Sequence, residues 1–233
     1  MIASVQLADV GVSGAAALLT RTLRPDSIPG LRTGHLVVAA PLSPTVLRKP
    51  QPSRAGLIAF WADEAAFDEF AATHPIAERL ATGWRTLLRP VRATGSWPGL
   101  PEDLDTGAEA ANPSPALVLT LGRLRLSETW RFLRTAARAE AAALAAPGLI
   151  WATGLTRPPL MATCSLWRGS AELAAYAHRP GDHTAAVTAD RDRPFHHRSA
   201  FIRFRPIRSS GQLDGVNPLA ASAFAPASRP AMP

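Results

Sequence analysis

Two βαββαβ units in tandem, packed together as one α/β barrel within a single chain, are the fold this sequence predicts. Leu57-Ile58-Ala59-Phe60-Trp61 and Thr163-Cys164-Ser165-Leu166-Trp167 each end in a Trp that opens an Ala-rich amphipathic stretch. Leu88-Arg89-Pro90-Val91-Arg92 is answered by Phe204-Arg205-Pro206-Ile207-Arg208. Each run then leads to two glycines at the same spacing, Gly95 and Gly99 in one case, Gly211 and Gly215 in the other. Matched positions in one order point to an internal duplication. Two similar halves must then share one core or one site.

In the first half, residues 2–10 alternate as a strand does, and 14–23 suit a helix that stops before Pro25. Short apolar strands follow over 36–40 and 57–61, separated by a Pro-rich connection. Phe67, Phe70, Ile76 or Ala77, Leu80 and Trp84 recur at helical intervals, with Asp63 as N-cap and Pro75 as a break. A strand over 86–93 completes the unit. In the second half, 116–121 form a strand, and Ser127 caps a helix carrying Trp130, Leu133, Ala137, Ala141 and Leu144 on one stripe. Pro147-Gly148 ends that helix. Strands over 149–155 and 160–167 make a hairpin, Leu173 and Tyr176 open a second helix that Pro180-Gly181 interrupts, and 200–206 form the last strand.

Each unit is a ferredoxin-like split βαβ, with an antiparallel sheet and helices on one face. The uncovered apolar face is unstable as a surface, so the two sheets pack face to face as an intrachain dimeric α/β barrel. The expected divisions are a first ferredoxin-like half at 1–97, a linker rich in Pro, Gly and acids at 98–115, a second half at 116–215, and a flexible tail of mostly Ala, Pro and Ser at 216–233.

At 233 residues and 47% hydrophobic, the chain can bury a substantial core. Its single cysteine, Cys164, excludes an internal disulfide framework and a Cys-based zinc site and fits a reducing cytosol. The N-terminus lacks the pattern of a secretory signal, and no run approaches the roughly 18 to 20 apolar residues that span a bilayer. The expectation is a soluble, cytoplasmic protein, at most peripheral to a membrane. The net charge of +7 comes from dispersed arginines, Lys49 being the only lysine, and no reader motif accompanies it. Nucleic acid is therefore not an expected partner. The dinucleotide, Walker, nucleophile-elbow and His-Glu-x-x-His motifs are absent, so a nicotinamide or flavin domain is not expected within the chain.

Phe60-Trp61, the run from Arg89-Pro90 to Trp97-x-Gly99, Gly148-Leu149-Ile150-Trp151, Ser165-Leu166-Trp167, the His183 segment, and Phe201-x-Arg203-Phe204 leading to Gly215-x-Asn217-Pro218-Leu219 together resemble the spheroidene monooxygenase family. The resemblance covers most of residues 30–219. It implies a dimeric α/β barrel and heme-dependent oxygenation of a polyene, with electrons from a separate donor such as a ferredoxin. One segment departs: where the family carries a glycine-rich stretch, residues 33–52 here are dominated by Pro and aliphatic side chains. The implied substrate is a hydrophobic small molecule, carotenoid-like or otherwise.

A heme iron takes a proximal His, Cys, Tyr or Met, and the chain offers six histidines. His183 follows Pro180-Gly181-Asp182, so Asp182 could cap a restarting helix with His183 in its first turn. The positive helix end there disfavours imidazolium and keeps the ring able to ligate. The resemblance also places a His in this helix. A solvent-exposed helix start is the competing reading. His178 is the second choice, although it cannot share one helical face with His183. His196-His197 suit a solvated connection, His74 a structural role beside Pro75, and His35 the flank of a strand. Cys164 is expected as a buried hydrophobe rather than a thiolate ligand. Arg203, Arg205 and Arg89 could pair heme propionates, or could be surface arginines. With what the resemblance implies, the expectation is a heme-dependent monooxygenase using O2. A cofactor-independent oxygenase of the same fold and a noncatalytic heme- or small-ligand-binding module are the alternatives.

Overall fold

Strand alternation decides which side chains meet in the centre of this molecule. In the computed structural model, residues 1–46, 51–101, 104, 115–178 and 181–223 are described, apart from the side chains of 182, 183 and 221–223. The first half runs β1 (Ile2–Asp9), α1 (Gly11–Leu19), β2 (Leu31–Ala40), β3 (Arg54–Trp61), α2 (Glu64–Thr73), α3 (Pro75–Leu80) and β4 (Trp84–Gly95). The second runs β5 (Ala116–Leu124), a 3₁₀ turn (Leu126–Glu128), α4 (Thr129–Leu144), β6 (Leu149–Arg157), β7 (Leu160–Trp167), α5 (Ser170–His178), α6 (Asp182–Asp192) and β8 (His196–Ser210), with α7 (Pro218–Ala223) after it.

The eight strands close in the order β1-β3-β2-β6-β7-β5-β8-β4, every pairing antiparallel. Each half contributes four strands, and two seams join the halves. The β4–β8 seam is long, from Arg85↔Ser210 to Gly95↔Ala200. The β2–β6 seam pairs only Val38, Ala39 and Ala40 with Thr156, Leu155 and Gly154. Inward positions, among them Val5, Leu7, Val37, Ile58, Phe60, Leu119, Leu121, Cys164, Ile202 and Phe204, form one core shared by both halves. Trp97 and Leu100 pack over one end of it, Leu213 and Leu219 over the other.

The duplication is visible in the register. Trp61 faces Ile2 and Leu31, Trp167 faces Ala116 and Leu149, and a bulge follows at Leu31/Thr33 and again at Leu149/Trp151. Both indoles donate to a serine, Trp61 Nε1 to Ser4 Oγ at 2.9 Å and Trp167 Nε1 to Ser165 Oγ at 3.0 Å. Arg89 and Arg205, matched in the sequence, are cross-strand partners, which puts them on the pseudo-twofold axis.

Local chemistry fixes several boundaries differently from the sequence expectation. At Pro75 the expected break is found: α2 ends at Thr73 and Pro75 opens α3, where His74 Nδ1 accepts the Ile76 N–H at 3.2 Å as its N-cap. Ser127 lies within the 3₁₀ turn, and Glu128 holds the N-cap position of α4. Gly181, rather than Asp182, precedes α6, its N–H donating to Thr184 Oγ1 at 3.1 Å. Past 215, Asn217 Oδ1 accepts from Trp84 Nε1 at 3.2 Å, and Leu219 packs on the core. The rest of the expected tail, 224–233, and most of the expected linker, 102–103 and 105–114, lie outside the described residues. Among the described residues no helix is long and apolar enough to cross a membrane.

The two helix layers differ. In the first half, α1–α3 cover the sheet with a second core in which Leu57, Trp61, Phe67, Phe70, Ile76 and Leu80 are buried. Among the described residues of the second half, the corresponding cluster holds only Ala116, Val118, Trp167 and Leu173 as buried members. Trp130 and Leu144, on the apolar stripe of α4, are exposed, because α4 lies chiefly against α6 rather than on the strands.

Candidate functional site

The thin second layer leaves the outward face of β6, β7, β5 and β8 incompletely covered, a shallow strip open at Thr120. Because inward residues alternate with outward ones, the register lays out its floor row by row. One row is Phe201, Thr120, Thr163 and Gly154. The next is Arg203, Val118, Ser165 and Ala152. Thr120 sits mid-strand with a strand on either side, yet it is exposed, and Phe201, Thr163 and Arg203 are only half-buried. Outward positions of the first half at this level carry Leu57 and Ala59, fully buried beneath helices.

Aromatic contacts close the two ends of the floor. At one end the Trp167 ring stacks on Tyr176, 4.8 Å between centroids, and the Tyr176 hydroxyl donates to the Ala139 carbonyl of α4 at 3.2 Å. Burial, with the Glu140 carboxylate adding to it, pushes the Tyr176 phenol up to about 12, so it stays protonated. At the other end His196 lies against Gly122, where a Cβ would come within 2.5 Å of the ring, and meets Phe132 of α4 edge-on at 5.2 Å. Glu128 locks α4 to the segment after α6 through Arg131 at 2.8 Å and Arg193 at 2.5 Å. Its hydrogen bond from Arg131, with Arg193 adding to it, holds the carboxyl below its ordinary range.

The sequence-predicted residues fall as follows. His183 is the second residue of α6, and its side chain lies outside the described residues. Arg203 and Arg205 both point outward from β8, Arg203 onto the strip beside Val118, and Arg205 toward Arg89 at the seam. Arg203 Nε is buried without a hydrogen-bond partner among the described residues. His178 and His197 are exposed. His196 is half-buried, and desolvation lowers its pKa against the opposing pull of Asp190, which is 3.4 Å away. Cys164 is in the core, where burial pushes its thiol up, so no thiolate is presented. Among the described residues no three His, Cys, Asp or Glu side chains gather as a metal site. The strip's threonines escaped the sequence reading, although Thr120 breaks an otherwise apolar outward row of β5 and was its one local signal.

A second polar corner sits at the barrel end covered by Trp97. His35 faces inward from β2, and its Nε2 accepts from Trp97 Nε1 at 3.2 Å. Burial, with the Arg157 and Arg123 charges adding to it, pushes the His35 pKa down to about 4, so the ring is neutral at pH 7. The local sequence puts His35 only at a strand flank. It lies inside β2, and its position opposite Trp97 depends on a loop whose path the sequence did not reveal.

Among known proteins the chain is similar to two spheroidene monooxygenases. It is 34% identical over 173 residues to the spheroidene monooxygenase of Rubrivivax gelatinosus, a match covering 72% of this chain and 66% of that protein. It is 28% identical over 181 residues to that of Rhodobacter capsulatus, covering 69% of this chain and 72% of the relative. The chain thus spans about two thirds of the first relative's length. No family model matches. Among solved structures, an aldoxime dehydratase in complex with butyraldoxime covers 88% of this chain and 79% of its own at 10% identity and a TM-score of 0.40. A monooxygenase-like protein from Listeria innocua covers 86% and 93% at 13% identity and a TM-score of 0.30. At those TM-scores neither adds to the fold described above.

Proposed function

The chain belongs to the spheroidene monooxygenase family, and on that premise we propose that it oxygenates a hydrophobic, carotenoid-like polyene, with heme held over the outward face of the second sheet. One atom of O2 enters the substrate and the other leaves as water, which takes two electrons and two protons; a separate donor such as a ferredoxin supplies the electrons. When bound, the heme supplies dioxygen activation, and the protein supplies the axial ligand, a dry pocket and orientation.

The observation that carries the cofactor placement is the buried, unpartnered Nε of Arg203 on the floor that Thr120 leaves open. A buried guanidinium nitrogen without an acceptor is costly, and a carboxylate on a bound group removes that cost. Arg203 would pair a propionate, with Arg205 one position along the same face. His183, at the N-terminal turn of the helix bordering the strip, would hold the metal as a neutral imidazole. Thr120, Thr163 and Gly154 are neighbours across the strands and are small, so a flat ring laid over this face would meet little side-chain bulk.

Hemin titration followed by absorbance tests this directly. Wild type should take up about one heme per chain and show a Soret band. His183→Ala should lose or shift that band, with partial recovery on adding imidazole, and Arg203→Gln should weaken uptake. His178→Ala and His196→Ala should leave the band unchanged. No uptake by wild type would remove the cofactor from the reading and leave a cofactor-independent oxygenase.

A further inference from the structure

We infer that the exposed face formed by the 3₁₀ turn and α4 seats the protein on an anionic lipid bilayer, with Leu126 and Trp130 entering the headgroup region. Leu126 and Trp130 are 73% and 57% exposed at the start of this face, and Leu144 is 49% exposed at its far end. The first two are four residues apart, and Arg134 and Arg138 continue the same spacing along one stripe. The Arg134 guanidinium lies over the Trp130 ring, 4.8 Å from its centroid. That arrangement gives the indole a cation positioned to reach lipid phosphate.

Charge selects the occupant. Between 123 and 138 the chain carries Arg123, Arg125, Arg131, Arg134 and Arg138 against the single acid Glu128. Glu128 is already engaged by Arg131 and Arg193. Among the described residues no ion pair engages Arg123, Arg125, Arg134 or Arg138, and all four are exposed. An apolar tip followed by the exposed Arg134 and Arg138, which no carboxylate among the described residues pairs, matches a negatively charged leaflet. Two apolar side chains set among cations do not make the apolar centre that a stable protein interface needs. The inference rests on the hydrophobic-substrate reading for its purpose, since a polyene is drawn from lipid rather than from water. Its test does not depend on that reading.

Vesicle sedimentation decides the matter, with phosphatidylcholine vesicles compared against vesicles containing phosphatidylglycerol. Wild type should partition onto the anionic vesicles and not the neutral ones, and should be released by high salt. The double variant Leu126→Ser/Trp130→Ser should lose at least tenfold in partitioning, and Arg134→Gln/Arg138→Gln should lose most of the dependence on anionic lipid. Both variants should keep wild-type thermal unfolding, since the side chains are exposed. Equal partitioning of wild type and the Leu126/Trp130 variant, or no partitioning of wild type, overturns the proposal. Retention of wild type on an immobilised acidic polypeptide, lost in the Trp130 variant and without vesicle binding, would replace it by an acidic protein partner. Oxygenation of a detergent-dispersed polyene, assayed separately, should be unchanged in the Leu126/Trp130 variant. Inactivity of wild type there would fault the enzymatic reading and leave the vesicle result standing.

Discussion

His35 shows how far a single residue's chemistry departs from its local sequence. Leu36 beside it opens the expected strand, but Trp97 and the arginines that, with burial, set its proton affinity are brought by other elements. The consequence for stability has a definite sign. With a folded pKa near 4 against 6.5 unfolded, the unfolded chain binds a proton that the folded chain refuses between those values. Stability is therefore full above pH 6.5 and is lost as pH falls toward 4, by about 2 kcal/mol at pH 5. Urea unfolding at pH 7 and pH 5 should show that loss shrinking in His35→Gln, which can still accept from Trp97. An identical pH response in both proteins would mean that the ring is not held neutral. Arg203 was legible as a cation near the end of the chain; that its Nε is buried and unpartnered depends on Val118 across the ladder and on the helices above.

At the scale of elements, apolar alternation and matched Trp positions carried the strand plan: seven of the eight expected strands lie within one found, and the first runs a single residue past Asp9. The extents were less legible. β8 runs from His196, well before the apolar stretch that marks it, because pairing with β4 and β5 extends it through Arg- and Ser-rich sequence. The apolar stripe on α4 has the spacing of a core-facing side, yet the helix turns Trp130 to solvent and rests on α6. Periodicity reports that a helix has an apolar side; it does not report the distance to the sheet. That stand-off makes a prediction. Thr120→Phe places a ring in open space on a central strand, so stability should stay within about 0.5 kcal/mol of wild type. Heme uptake should fall sharply, measured by the same titration. A variant that binds heme normally would put the cofactor elsewhere.

For the whole molecule, the halves are joined by two seams of very different length. The β4–β8 ladder holds ten residues of β4 in register, whereas β2–β6 holds three of β2. Amides of Val38 to Ala40 and Gly154 to Thr156 should exchange with deuterium well before those of central β4 and β8, as the short seam opens locally without unfolding the rest. Comparable protection at both seams would show the barrel opening only as a unit.

The unequal helix layers carry a consequence of another kind. A chain that holds its fold twice over can entrust stability to one copy and release the other from that duty. Here the first copy keeps the dense outer packing around Trp61, Phe67 and Phe70, and the second gives up the equivalent bulk around Thr120 and Thr163. Substitutions under α2 and α3 therefore bear on whether the protein folds, while those under α4 and α6 bear on what it can hold. The second copy is where variation can explore new ligands at little risk to the scaffold, because the rigidity they require is maintained on the opposite side of the barrel.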